Sequence, residues 1–269
     1  MGIAAEIEDD WQASLAALAW QVDLGLTEVI GDVPHSAYDL AERAPSVTLP
    51  MAAPDVAGVS GPAADPAGVA RSLAALAPDL AALHAAIAGY DLCELKKGAR
   101  STVFADGNPS ARVLILGEAP GREEDMQGLP FVGPAGQMLD AMFAAIGLSR
   151  AAPSPENALY ITDVMPWRPP QSRDPAPDEI AMMLPFVERH VALVDPEVIV
   201  LMGNISCLAA LGQKGISRLR GVWTTAFGRP ALPMFHPAYL LRNPLAKREA
   251  WSDLLALQAW LRRAAAGRP

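Results

Sequence analysis

Three stretches of this 269-residue chain carry side chains that could do chemistry, and each follows an apolar run. Glu118 and Glu124 sit in Gly117-Glu-Ala-Pro-Gly-Arg-Glu-Glu-Asp125, which leads to a second Gly/Pro stretch, Gly128-Leu-Pro-Phe-Val-Gly-Pro-Ala-Gly136. Glycine lets backbone approach a ligand closely, and a following helix start favours an anion. Asp163 closes Tyr160-Ile-Thr-Asp163, with Trp167-Arg-Pro-Pro-Gln-Ser-Arg173 behind it. His236 opens His236-Pro-Ala-Tyr-Leu-Leu-Arg242. Carboxylates and imidazoles move protons and stabilise charge. Each also has an ordinary explanation: a solvated loop carboxylate, a turn-capping aspartate, a structural histidine. The glycine pattern is neither a Walker phosphate loop nor GxGxxG, which argues against a nucleotide cofactor.

These residues need a scaffold to bring them together. Arg112 to Gly117, Ala158 to Thr162, Glu197 to Met202 and Leu232 to Phe235 read as buried strands. Helical spacing of Met138, Leu139, Met142, Phe143 and Ile146 predicts a helix over Ala135 to Gly147. Further helices are expected from Asp178 to Val194, from Asn204 onward and from Leu245 to Ala264. This alternation predicts an α/β fold: a central, mostly parallel four-stranded sheet flanked by helices on both faces. In such folds ligands bind at the C-terminal strand ends, where all three chemical stretches fall.

The N-terminal part reads differently. Trp11, Leu15, Leu18 and Val22 share one face of a helix expected over Ala4 to Ile30. Residues 44–68 are rich in Pro, Ala and Gly and read as a linker, after which Val69 to Tyr90 returns to a helical pattern. Residues 1–75 are therefore expected to form a helical extension and 76–269 the main domain. The Trp11 face would pack on that domain or meet a protein partner.

The net charge is −9 and sits unevenly. Residues 1–100 hold fourteen acidic against five basic residues, whereas 101–269 hold sixteen of each. A neutral domain can still offer a local basic face to phosphates. Only Cys93 and Cys207 are present, so a disulfide framework is not expected. Without an 18-residue apolar run or a basic leader, the chain reads as cytoplasmic with no membrane contact.

Taken in order, the three stretches and the Arg-Pro-Pro-Gln segment resemble the uracil-DNA glycosylase superfamily, most closely its iron–sulfur branch, family four. The resemblance runs from about Tyr90 to Leu257 and includes Ala105-Asp-Gly-Asn-Pro109. It implies hydrolysis of the N-glycosidic bond of deoxyuridine in single- or double-stranded DNA, by a monomer that flips the nucleotide into a pocket. Phe131 would stack on the base. His236 would bond its O2 and stabilise charge on the leaving base. Glu118 and Glu124 are catalytic candidates, the latter to orient water or support a cationic sugar. Pro120 and Gly121 would meet the phosphate, with Ala119, Gly203 and Ser206 as further substrate-binding candidates. Pro237, Ala238, Tyr239, Leu240 and Arg242 would fill the gap in the duplex, with Tyr239, Leu240 and Leu241 projecting outward. Hydrolysis requires no metal.

Two departures stand out. The branch holds its cluster on four cysteine thiolates. Only Cys93 falls at a ligand position; the other three are Tyr90, Trp167 and Met183. The expectation is no iron–sulfur cluster, with these three side chains packed as an apolar plug. Asp163 stands where the family has an asparagine that reads the base edge. An ionised Asp163 only accepts hydrogen bonds and would suit cytosine's amino group, whereas a protonated one would mimic asparagine. The competing readings are altered base specificity and a DNA- or uracil-binding protein without turnover. A covalent uracil-trapping relative carries a basic, histidine-containing insert after the second stretch, which residues 168–178 lack.

Overall fold

The computed structural model describes residues 65–266. In chain order the elements are α1 (Pro66–Leu76), α2 (Leu80–Ala88), α3 (Leu95–Gly98), β1 (Asp106–Gly107), β2 (Val113–Gly117), α4 (Arg122–Gln127) and α5 (Pro134–Ala144). They continue with β3 (Leu159–Asp163), α6 (Pro177–Val194), β4 (Val198–Met202), α7 (Asn204–Leu211) and α8 (Ile216–Leu219). The chain closes with β5 (Thr224–Ala226), β6 (Arg229–Met234), α9 (Pro237–Arg242) and α10 (Lys247–Ala266). The helix expected over Ala4 to Ile30 and most of the expected linker lie outside the described residues.

The sheet has six strands in the order β1-β3-β2-β4-β6-β5. The four expected strands are its parallel centre. The sheet is mixed rather than four-stranded, because β1 and β5 add antiparallel edges. These edges are two and three residues long and carry little apolar signal of their own.

Each central strand is buried on both faces, as parallel strands between helical layers must be. Successive residues face opposite layers. Leu114, Leu116, Tyr160, Ile199 and Leu201 pack with α1, α2, α6 and α7. Val113, Ile115, Ile161, Val200 and Met202 pack with α5 and α10.

The pattern expected as one helix from Val69 to Tyr90 is two, α1 and α2. The chain leaves helical geometry at Ala77, just before Pro78, whose ring disfavours α geometry in the preceding residue. α1 begins inside the expected linker and packs on α6, so this layer starts before residue 76.

β2 is the first of the parallel strands, and its neighbours β3 and β4 come later in the chain on opposite sides. The crevice at its C-terminal end is the topological switch point, where α/β sheets bind ligands.

Candidate active site

Four strand ends meet at this crevice. β2 ends at Gly117 and delivers Glu118 to Gly121. β3 ends at Asp163, β4 at Met202 just before Gly203, and β6 at Met234, two residues before His236. A cavity of about 180 Å3 opens between them, lined by Ala119, Gly121, Glu124, Phe131, Ala135, Asp163, His236 and Ala238. This is below the roughly 300–1,000 Å3 of pockets for drug-sized ligands.

Glu124 cross-braces the two glycine-rich loops. Its Oε2 accepts from the Gly121 amide at 3.1 Å. Its Oε1 accepts from the amides of Val132 and Gly133 at 3.1 and 3.2 Å. The first loop, the second loop and the start of α4 are thereby locked as one unit. A carboxylate oxygen has two lone pairs, so Oε2 keeps acceptor capacity toward the cavity.

His236 is the N-cap of α9. Its Nδ1 accepts from the Ala238 amide at 3.1 Å. In a neutral ring the proton therefore sits on Nε2. Burial, followed by the nearby Arg242 charge, brings its pKa down to about 4, so the imidazole is uncharged near neutral pH. Its ring stacks on Phe131 at 5.3 Å between centroids and 26° between planes.

Phe131 sits at φ 53°, unusual for a residue with a bulky side chain. What holds it there has no local signature in the residues around it. Arg150 donates to the carbonyls of Pro130 at 3.0 Å and Phe131 at 2.9 Å. The guanidinium is anchored in turn by Asp106 and Asp140, at 2.9 and 2.8 Å. Gly136 leaves the space, because a side chain there would collide with the Phe131 carbonyl.

Three expected site residues, Glu118, Gly203 and Ser206, stand behind the cavity wall rather than on it. Glu118 Oε1 accepts from the Ile205 amide at 2.9 Å and closes the N-terminus of α7; burial raises its pKa. Gly203, at φ 100°, passes so close that a Cβ would strike the Glu118 carboxyl. Ser206 is fully buried, with its hydroxyl spent on the Gly203 carbonyl at 3.1 Å. Pro120 is buried beside the cavity and Gly121 is exposed at its rim.

The segment from Pro237 is a helical turn, not a projecting loop. Leu240 is 1% exposed and belongs to the core with α5 and α10, and Pro237 is also buried. This corrects the expectation that Leu240 points outward: on a helix it falls on the opposite side from Tyr239 and Leu241. Those two are 36% and 45% exposed, and Arg242 is exposed beside them.

The donor set does not fit a four-thiolate cluster. Cys93 and Cys207 are both buried, and burial pushes both thiols up, Cys207 to about 12, so neither is poised as a thiolate. Among the described residues no group of three His, Cys, Asp or Glu side chains is placed to hold a metal ion. Tyr90, Trp167 and Met183 lie with Cys93 in one buried apolar cluster. Tyr90 packs edge-on against Phe186 and donates to the Pro66 carbonyl at 2.7 Å. Trp167 Nε1 donates to the Thr102 hydroxyl at 3.1 Å.

The crevice, walled by one aromatic ring and a buried imidazole, has room for a single planar heterocycle and marks an α/β protein with its ligand site at the switch point. The sequence comparisons agree. The model of the uracil DNA glycosylase superfamily matches residues 104–255. A type-4 uracil-DNA glycosylase of Archaeoglobus fulgidus is 36% identical over 170 residues, covering 60% of this chain and 82% of the relative. One from Pyrobaculum aerophilum is 34% identical over 185 residues, covering 65% and 91%. A third, from Thermotoga maritima, is 35% identical over 156 residues, covering 56% and 77%. The chain belongs to the uracil DNA glycosylase superfamily.

Proposed function

We propose that this protein is a monofunctional uracil-DNA glycosylase. It hydrolyses the N-glycosidic bond of deoxyuridine in DNA and leaves an abasic site for base excision repair. The observation that carries this reading is His236 on the wall of the cavity, its Nδ1 accepting from the Ala238 amide so that a neutral ring carries its proton on Nε2.

The target nucleotide leaves the duplex at a cost of a few kcal/mol, least for a poorly paired base. Its base stacks on Phe131, and O2 accepts from His236 Nε2–H. As the C1′–N1 bond breaks, its electron pair moves onto the base and the sugar becomes cationic. A fixed neutral donor strengthens as O2 gains charge, which is transition-state rather than ground-state binding. The Glu124 carboxylate opposes the positive sugar, and its free Oε2 lone pair can orient water. The water oxygen bonds to C1′ and its proton ends on the departing uracil. None of these steps uses a metal or an iron–sulfur cluster.

No helix among the described residues is long and apolar enough to cross a membrane. On this reading the protein works as a cytoplasmic monomer on single- or double-stranded DNA. The reading is tested by strand cleavage, after alkali, of labelled DNA carrying one U, C or hypoxanthine. Cutting at U supports it. Binding to U-containing DNA without cutting would make the chain a non-catalytic reader.

A further inference from the structure

Asp163 ends β3 with its carboxyl on the cavity wall, 8% exposed. No hydrogen bond to that carboxyl forms among the described residues, although Glu118 and Glu124 are both satisfied by backbone amides. Gly117 creates the position: a Cβ there would collide with both Asp163 Oδ1 and the edge of the Phe131 ring. Carboxyl and ring therefore converge over the same strand end. The carboxyl opens onto the cavity, where a bound ligand can supply the partner that the protein does not.

The groups facing it favour the uncharged form. Glu118, after β2, and Glu124, on α4, both add negative charge near it. His236, before α9, is neutral. His190 of α6, across a small gap behind the strand, is also neutral and engaged by the Tyr160 hydroxyl at 2.8 Å. Burial first, then Glu124 and Glu118, raises the Asp163 pKa to about 8.

We propose that Asp163 is the specificity-determining residue of this site and reads uracil as a neutral carboxylic acid. Its carbonyl oxygen accepts from N3–H and its hydroxyl donates to O4. This rests on the glycosylase reading. Once ionised, the group offers acceptors only and meets O4 with repulsion. Uracil recognition is then complete below the Asp163 pKa and is lost as pH rises through it, about tenfold per pH unit above it.

The test compares wild type with Asp163→Asn from pH 6 to 9, by single-turnover cutting of U-containing duplex. The same pair is followed by fluorescence anisotropy on a duplex carrying 2′-fluoro-deoxyuridine, which resists cleavage. An amide presents the same donor and acceptor without titrating, so the ratio of wild-type to variant rate should fall about tenfold between pH 7 and 9. The ratio also cancels ionisation of the base itself. A flat ratio overturns the proposal, and so does cutting at cytosine that rises with pH, the mark of an ionised carboxylate reading an amino donor. Should neither protein cut U at any pH, the glycosylase reading fails. The anisotropy ratio then decides the inference: a tenfold fall sustains Asp163 as the reader and a flat ratio overturns it.

Discussion

The Arg150 guanidinium donates to the carbonyl of Phe131 at 2.9 Å, and a largely buried cation thereby fixes the aromatic wall of the cavity. Phe131 holds a left-handed backbone that costs roughly 1–3 kcal/mol at a non-glycine position. Two carbonyl contacts and two carboxylate partners on one guanidinium offset that cost. Replacing Arg150 with Met removes all four. The expected result is a drop of about 10- to 100-fold in kcat/KM for U-containing DNA, since small misplacements at a reacting centre cost about that much. An unchanged kcat/KM would show that Gly136 and Pro130 alone hold the ring.

His236 is expected to act as a neutral donor. His236→Ala should lower kcat by about 10²- to 10³-fold with little change in KM, the usual loss for one oxyanion-type donor. Its lowered pKa predicts that its own titration leaves the rate flat from pH 7 down to 5. A second proton would have to sit on Nδ1, which already accepts from Ala238. The folded state binds that proton less readily than the unfolded chain, so stability falls as pH drops from the ordinary histidine range toward 4. Rate and thermal-melting profiles over that range check both statements.

Leu240 and Leu241 are adjacent in sequence and opposite in role. Leu240→Ala empties a core position and is expected to cost about 2–5 kcal/mol in urea unfolding. Leu241→Ala should leave stability within about 0.5 kcal/mol. It should lower excision from duplex DNA while sparing single strands, where no stack needs filling. Equal losses on both substrates would remove Leu241 from the DNA interface.

The buried group of Tyr90, Cys93, Trp167 and Met183 predicts a protein without bound iron. Purified under anaerobic conditions, it should be colourless and iron-free by metal analysis. Trp167→Ala should destabilise it by about 3–5 kcal/mol, as for a large core side chain. Stoichiometric iron with broad visible absorbance would overturn this.

The parallel centre of the sheet was legible because each strand is a short apolar run ending in a glycine or a chemical residue. Gly117, Asp163, Gly203 and His236 sit at a strand end or within two residues of one, and that local code places them at one edge. The edge strands were not legible: Asp106–Gly107 and Thr224–Ala226 form by pairing with β3 and β6, not by their own preference. The family resemblance made Glu118 a catalytic candidate and Ser206 a substrate-binding one. Only packing showed their polar atoms turned toward the start of α7.

The sequence by itself determined residue types and their periodicity, and hence the layers, the switch point and the set of groups that can meet there. The tertiary structure decided partners and protonation. Arg150 reaches Phe131 across nineteen positions of chain. Asp163 is left without a donor, and His236 has its proton fixed on one nitrogen. Hydrogen bonds and desolvation depend on which distant atoms arrive within about 3 Å, and no local pattern of residues encodes that distance.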